Sequence, residues 1–296
     1  MRSILQDFAH LWPKSREMAL APILSKVTYL KYPEDSNLLG LEKRPDKVIV
    51  ITSGEDFFAI RPFIFNGFRH FVNRHRSDLP QELLASCLMI VKPNVFVQNP
   101  IPFFLAGFNN IKILNDKERN LTLTFKKSAQ KGELLEELQA FLEKNPKTKS
   151  LSDICIQSAD ELITNAMFNA PVDEDGERMF LNKDRLERIE YPPDKSATLF
   201  ACYSEDRITI GCEDNYGSMT VTEMYQYLRT KFNNELSIPR ESTGGAGLGL
   251  KMIMENSANF YLFSERYRRT LIAATFLLSG LKSNMSSRKH FHWSVS

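Results

Sequence analysis

The chain is poor in cysteine and has no closely spaced pair of cysteines. Cys87, Cys155, Cys202 and Cys212 stand far apart with no C-x-x-C spacing, which excludes the usual zinc-ligand patterns and a disulfide framework. Cys202 and Cys212 sit among strand-forming residues and read as small buried thiols. Long apolar runs are also missing. The longest mostly apolar stretch, TLIAATFLLSGL at 270–281, falls short of the roughly 20 residues a helix needs to cross a bilayer. The opening MRSILQDFAHLWPKSR lacks the compact apolar core of a signal peptide. No membrane insertion is expected, and a cytoplasmic location is. The formal net charge of +2 is too near balance for a strongly basic surface, so nucleic acid is not an expected partner. There is no internal repeat and no long low-complexity tract.

What is present suits a globular α/β protein. At 296 residues, 43% of them hydrophobic, the chain is long enough for two domains. KVIVITSG (47–54) reads as a buried strand, EDFFAIRPFIFNG (55–67) as a helical stretch broken at Pro62, and FRHFVNR (68–74) as a short strand. DLPQELLASCLMIV (78–91) reads as a helix capped by Ser77 or Asp78 with Pro80 in its first turn. This alternation predicts a small α/β domain over residues 1–95. KPNVFVQNPIPFF, with its three prolines, opens a connection over 96–119.

From residue 120 the pattern is cleaner. NLTLTFKK (120–127) alternates as a strand, and GELLEELQAFLEKN (132–145) has the spacing of an amphipathic helix. SLSDICIQSADELITNAMFNA (150–170) is a second helix, with Ser152 as candidate N-cap and Pro171 as its end. The charged stretch 172–195, with Gly176, Pro192 and Pro193, reads as an insertion or long connection. Two strands, ATLFACYS and RITIGCED, follow with a tight Glu-Asp turn between them; a helix, TVTEMYQYLRTKFNN, leads into STGGAGLGLKMI, and NFYLFSER and TLIAATFLL complete a sheet.

Three short motifs could carry chemistry. In DELITNAMFNA, Glu161, Asn165 and Asn169 recur every four residues and so share one helix face. A solvated polar stripe is the plain reading, but Leu162, Ala166 and Met167 show that much of this helix is packed. Carboxylate and amide oxygens in such a row suit magnesium, which keeps several waters and takes further ligands from phosphates. A carboxylate there could also deprotonate an attacking hydroxyl. In CEDNYGSM, Asp214 ends a strand beside a glycine turn, where it is either an ordinary turn residue or an acceptor for an exocyclic amine such as that of adenine. In GGAGLGL, glycines lead into a helix whose unpaired N–H groups favour an anion.

In this order the three motifs resemble the ATP-binding fold of the GHKL superfamily, which includes histidine-kinase catalytic domains, anti-sigma-factor serine kinases, and gyrase-type and chaperone ATPases. The likeness spans about residues 120–280. It implies an α/β sandwich in which helices cover a mixed sheet, and it implies ATP and Mg2+ as ligands. By the resemblance, Asn165 would coordinate Mg2+, Glu161 would be the general base, and Asn169 would lie nearby. Asp214 would bind the adenine amine, with Gly217 shaping the base pocket and Thr270 supporting the aspartate. Gly245, Gly247, Leu248 and Gly249 would meet phosphate through backbone groups, under a lid at 218–244 carrying Arg229, Lys231 and Arg240. The N-terminal domain is similar to the second half of a response-regulator receiver, in degenerate form, since no phosphoacceptor Asp is placed in residues 1–46.

Two positions depart from the GHKL pattern. Tyr216 stands where the usual Asp-x-Gly-x-Gly box has its first glycine, and Asn169 replaces a residue that is often basic in kinase members. None of the five histidines, His10, His70, His75, His290 and His292, sits before an acidic residue in a long helix ahead of the ATPase segment, so classical histidine autophosphorylation is not expected. His290 and His292 fall in a stretch, 281–296, read as a flexible basic tail. The expectation is a cytoplasmic signalling protein that binds Mg-ATP and phosphorylates a regulatory protein partner on Ser or Thr. The alternative is a catalytically inactive, nucleotide-dependent protein-binding regulator. A homodimer is left open.

Overall fold

The computed structural model describes residues 2–11, 21–38, 44–53, 57–98, 118–232, 248–278 and 288–295. The chain is mixed α/β and divides into two compact units, residues 1–114 with 281–293, and residues 115–280 with 294–296. Among the described residues no helix is long and apolar enough to cross a membrane.

In the first unit β1 (Arg2–Ser3) pairs antiparallel with β2 (Thr28–Tyr32), which runs parallel to β3 (Val48–Thr52), itself parallel to β4 (His70–Asn73). Every residue of β3, VIVIT, is buried, as expected of a parallel strand covered on both faces. Helix α1 (Leu79–Val91) contributes Leu83, Leu84, Cys87 and Leu88 to the same core as Tyr29, Ile49, Ile51 and Val72. The helical stretch changes type next to Pro62: a 3-10 turn, Phe57–Ile60, gives way to the short helix Arg61–Phe65, whose first turn holds the proline, where its missing N–H costs nothing. The small α/β domain expected over residues 1–95 is α/β in its described part, with β2, β3 and β4 parallel neighbours in chain order.

The expected flexible tail is corrected. Residues His290–Val295 form a strand antiparallel to β4, with Phe291 opposite Phe71 and His292 opposite His70. Phe291 and Trp293 are fully buried, and so are the two histidines between and beside them. The aromatic burial is favourable, and α1 supplies acids to receive the imidazoles. His290 Nε2 lies 3.0 Å from Asp78 Oδ1, and His292 Nε2 lies 3.4 Å from Glu82 Oε2. Asp78 is engaged with His290 and with Arg76 at 2.6 Å, so its side chain does not cap α1.

The second unit is built on β5 (Asn120–Phe125), β6 (Ala197–Tyr203), β7 (Arg207–Asp214), β8 (Asn259–Glu265) and β9 (Arg269–Leu277), all antiparallel, in the order β8-β9-β7-β6-β5. Helix α2 (Lys131–Glu143) packs against α3 (Ser152–Thr164), and α3 lies against β7. The Val221–Phe232 segment forms α4, and α5 (Leu248–Asn256) packs against both α3 and β9. Cys202 and Cys212 are buried thiols on β6 and β7, and burial raises the pKa of both. Ser152 does not act as N-cap: Leu151 holds that position, and the buried Ser152 hydroxyl has no partner among the described residues.

Candidate functional site

The end of α3 changes geometry where the acid and amide row lies. Residues Asn165–Asn169 form a π-helical turn, closed by the Ala170 amide donating to Asn165 O at 2.9 Å. The next donor along the chain would be residue 171, and Pro171 has no N–H. The Ala166 carbonyl, left without a helical partner, accepts instead from the Tyr191 hydroxyl. The Asn169 carbonyl accepts from Arg178 Nη1. Both substitutes come from the 172–195 segment, which therefore serves as the cap of this helix rather than as a mere connection. Single π turns inside α-helices recur at functional sites.

Despite the wider turn, Glu161, Asn165 and Asn169 remain on one face and bond in series. Asn165 Nδ2 donates to Glu161 Oε1 at 3.0 Å, and Asn169 Nδ2 donates to Asn165 Oδ1. Each amide orientation is thereby set by its neighbour, starting from the acceptor-only carboxylate. Burial raises the Glu161 pKa, while the Asn165 hydrogen bond and the Arg185 charge oppose the rise. Gly249, in the first turn of α5, lies directly against the Glu161 side chain: a Cβ there would sit 1.8 Å from Glu161 Cδ. The glycine is what permits the start of α5 to approach the carboxylate.

The second half of the site is the end of β7. Asp214 is buried opposite Thr270 of β9, and its Oδ1 accepts the amides of Tyr216 at 2.9 Å and Gly217 at 3.3 Å. Burial pushes its pKa up to about 6, against the pull of those amides, the Arg178 charge and the Thr270 amide. Gly217 has φ +62, and a Cβ there would meet Glu265 O at 2.0 Å and the amides of Arg268 and Arg269 at 2.7 Å. Tyr216 is buried, with its ring 5.3 Å from that of Tyr191 and Lys195 Nζ 5.1 Å from its centroid. Burial lifts its phenol to about 12, and the hydroxyl has no hydrogen-bond partner among the described residues.

Of the phosphate-loop residues, Leu248 and Gly249 open α5, while Gly245 and Gly247 lie outside the described residues, as do most of the glycine run and Arg240 of the expected lid. Arg229 and Lys231 fall within α4. Sequence reasoning passed over Arg178, Arg185 and Tyr191. Arg178 spans Asn169 O, Ser218 and Glu223, tying the end of the π turn to the start of α4. The signal that could have found them is the density of charged and aromatic residues in a segment that follows directly on the acid and amide row.

Set against protein-family models and against curated proteins, the sequence matches none.

Proposed function

We propose that the second unit is a Mg-ATP-binding domain of the GHKL kind, within a cytoplasmic signalling protein. The observation that carries the reading is the meeting of Gly249 with Glu161, which joins the start of the helix after the glycine run to the acid and amide row. Asp214, at the end of an adjoining strand, supplies the other end of a nucleotide site.

Each residue then has a chemical task. Both loop amides fall on Asp214 Oδ1, and Oδ2 would accept the exocyclic amine of adenine. Gly217 keeps the turn close to β8 and β9 so that the aspartate cannot swing away. The N–H groups in the first turn of α5 lack helical partners and favour phosphate oxygens. Among the described residues no group of three or more His, Cys, Asp or Glu side chains could hold a metal ion. Magnesium would be held through Asn165 Oδ1, with phosphate oxygens and water as its other ligands. Magnesium would neutralise charge on the phosphates. Glu161, made more basic by burial, is suited to take a proton from a hydroxyl of a protein partner.

Calorimetric titration with ATP and ADP, with and without magnesium, tests this reading. Magnesium-assisted ATP binding that is lost in both Asp214→Asn and Asn165→Ala is the expected result. A folded wild-type protein that binds neither nucleotide refutes it.

A second reading rests on Tyr216, whose buried ring fills a position that is glycine in the resembling family. In it, the domain binds nucleotide without turnover and presents a nucleotide-dependent surface to a partner. Phosphorylation of a partner by the wild type and not by Glu161→Ala separates the first reading from the second.

A further inference from the structure

Arg185 belongs to neither motif, yet it stands beside the acid and amide row. Its Nη2 donates to Asn169 Oδ1 at 3.2 Å, and its guanidinium carbon lies 4.9 Å over the Phe168 ring. The ring and the amide fix the plane and direction of the guanidinium. Its Nη1 is buried and has no hydrogen-bond partner among the described residues, and no carboxylate among them lies within ion-pair distance of it. Glu161 acts on it only as a nearby charge.

This is an unfinished set of contacts for a guanidinium. Arginine carries five N–H donors in a planar fork, and a buried donor left unmade is costly. The other cations of the site are served: Lys131 pairs with Asp160 at 2.7 Å and bonds Thr164 at 2.9 Å, and Arg178 reaches Glu223, Ser218 and Asn169. A fixed, partly desolvated guanidinium with spare donors is the group that best binds a tetrahedral oxyanion.

We propose that Arg185 binds the terminal phosphate of the nucleotide and makes the site prefer a triphosphate to a diphosphate. The inference rests on the nucleotide site proposed above. The choice of the terminal phosphate follows from polarity along that site: Asp214 holds the base, the Glu161 row faces the other end, and Arg185 is attached to that row through Asn169. Its own hydrogen bond to Asn169 Oδ1 also directs Asn169 Nδ2 toward Asn165, so the arginine both binds and sets the amide row.

The test is the dissociation constants of Mg-ATP and Mg-ADP for wild type, Arg185→Gln and Arg185→Lys. Arg185→Gln is expected to weaken ATP on the order of tenfold and ADP by less than about threefold, as for loss of one charge-assisted contact. Arg185→Lys keeps the charge and loses the fork, and should recover part of the ATP preference, which also covers the case of a glutamine variant that does not fold. Equal weakening of both nucleotides, or no change in either while wild type binds both, overturns the role of Arg185 and leaves the nucleotide site standing. A wild type that binds neither nucleotide overturns the site and this inference together.

Discussion

The α-carbon of Gly249 lies against the carboxylate of Glu161, so close that an added Cβ would be 2.2 Å from Oε1. The neighbour that would have to move is a side chain and not backbone, and Gly249 lies in a helix, where alanine gains about 1 kcal/mol over glycine. Relief of the clash costs a comparable ~1–3 kcal/mol, so the two effects nearly offset in stability. Function is more exposed, because displacing Glu161 breaks its 3.0 Å bond from Asn165. Gly249→Ala is expected to leave the denaturant midpoint within a small shift of wild type while weakening nucleotide binding several-fold. A large drop in stability with unchanged affinity would contradict this.

Gly217 presents the opposite balance. Its positive φ of +62 and the backbone atoms at 2.0 and 2.7 Å offer an added methyl group no flexible neighbour. The left-handed conformation costs a non-glycine residue about 1–2 kcal/mol, and overpacking against fixed backbone about 1–3 kcal/mol more. Gly217→Ala should therefore destabilise the protein by about 2–5 kcal/mol in chemical denaturation, and a change below about 1 kcal/mol would show that the β8–β9 turn yields.

How far the sequence revealed these features depends on the range of the interaction. Glu161, Asn165 and Asn169 were legible because four-residue spacing alone puts them on one face, and the Asp214–Gly217 turn was legible because its hydrogen bonds are local. The π turn was not, since it depends on Pro171 together with a hydroxyl from Tyr191, 25 residues away from the carbonyl it serves. Arg178 and Arg185 looked like solvated charge because their partners are reached only through folding. The strand β2, which starts the parallel set of the first unit, was passed over. The C-terminal strand was misread because His290 and His292 count as polar, while the acids on α1 that make their burial tolerable are some 210 residues distant.

Asp214 predicts a pH effect on binding. Its carboxyl titrates at about 6 in the folded protein, and only the ionised form accepts hydrogen bonds through both oxygens. Nucleotide affinity is expected to fall as pH drops below 6, with no such slope in Asp214→Asn. Stability runs the other way. The folded state holds this proton more tightly than the unfolded chain, whose value is near 3.8, so stability declines as pH rises from about 4 to 6 and is flat above. The full difference is at most about 3 kcal/mol. Asp214→Asn removes that decline, and denaturation curves at pH 4.5 and 7.5 check it.

The first unit should respond to acid through the buried His70 and His292. His290 Nδ1 accepts the Asn73 amide at 3.1 Å, and its Nε2 faces Asp78 Oδ1 at 3.0 Å. Burial, with the charges of His292, Arg69 and Lys47, puts the His70 pKa well below its ordinary 6.5. His292 is lowered by burial and by His290, with Glu82 opposing. For both, the unfolded chain takes up protons first as pH falls below about 6.5. Stability present above that pH is then lost at about 1.4 kcal/mol per pH unit for each group until the folded value is reached. Asp78 adds a second loss at lower pH: although burial opposes it, His290 and Arg76 hold its carboxyl well below 3.8, so its contribution disappears as the acid protonates. The protection of the amides of residues 290–295 against hydrogen exchange, measured relative to the intrinsic rate at each pH, should fall between pH 7 and 5. His70→Phe removes one titrating ring whose Nδ1 has no partner among the described residues, and should reduce that pH dependence. An exchange profile identical to wild type in this variant would assign the acid response to other groups.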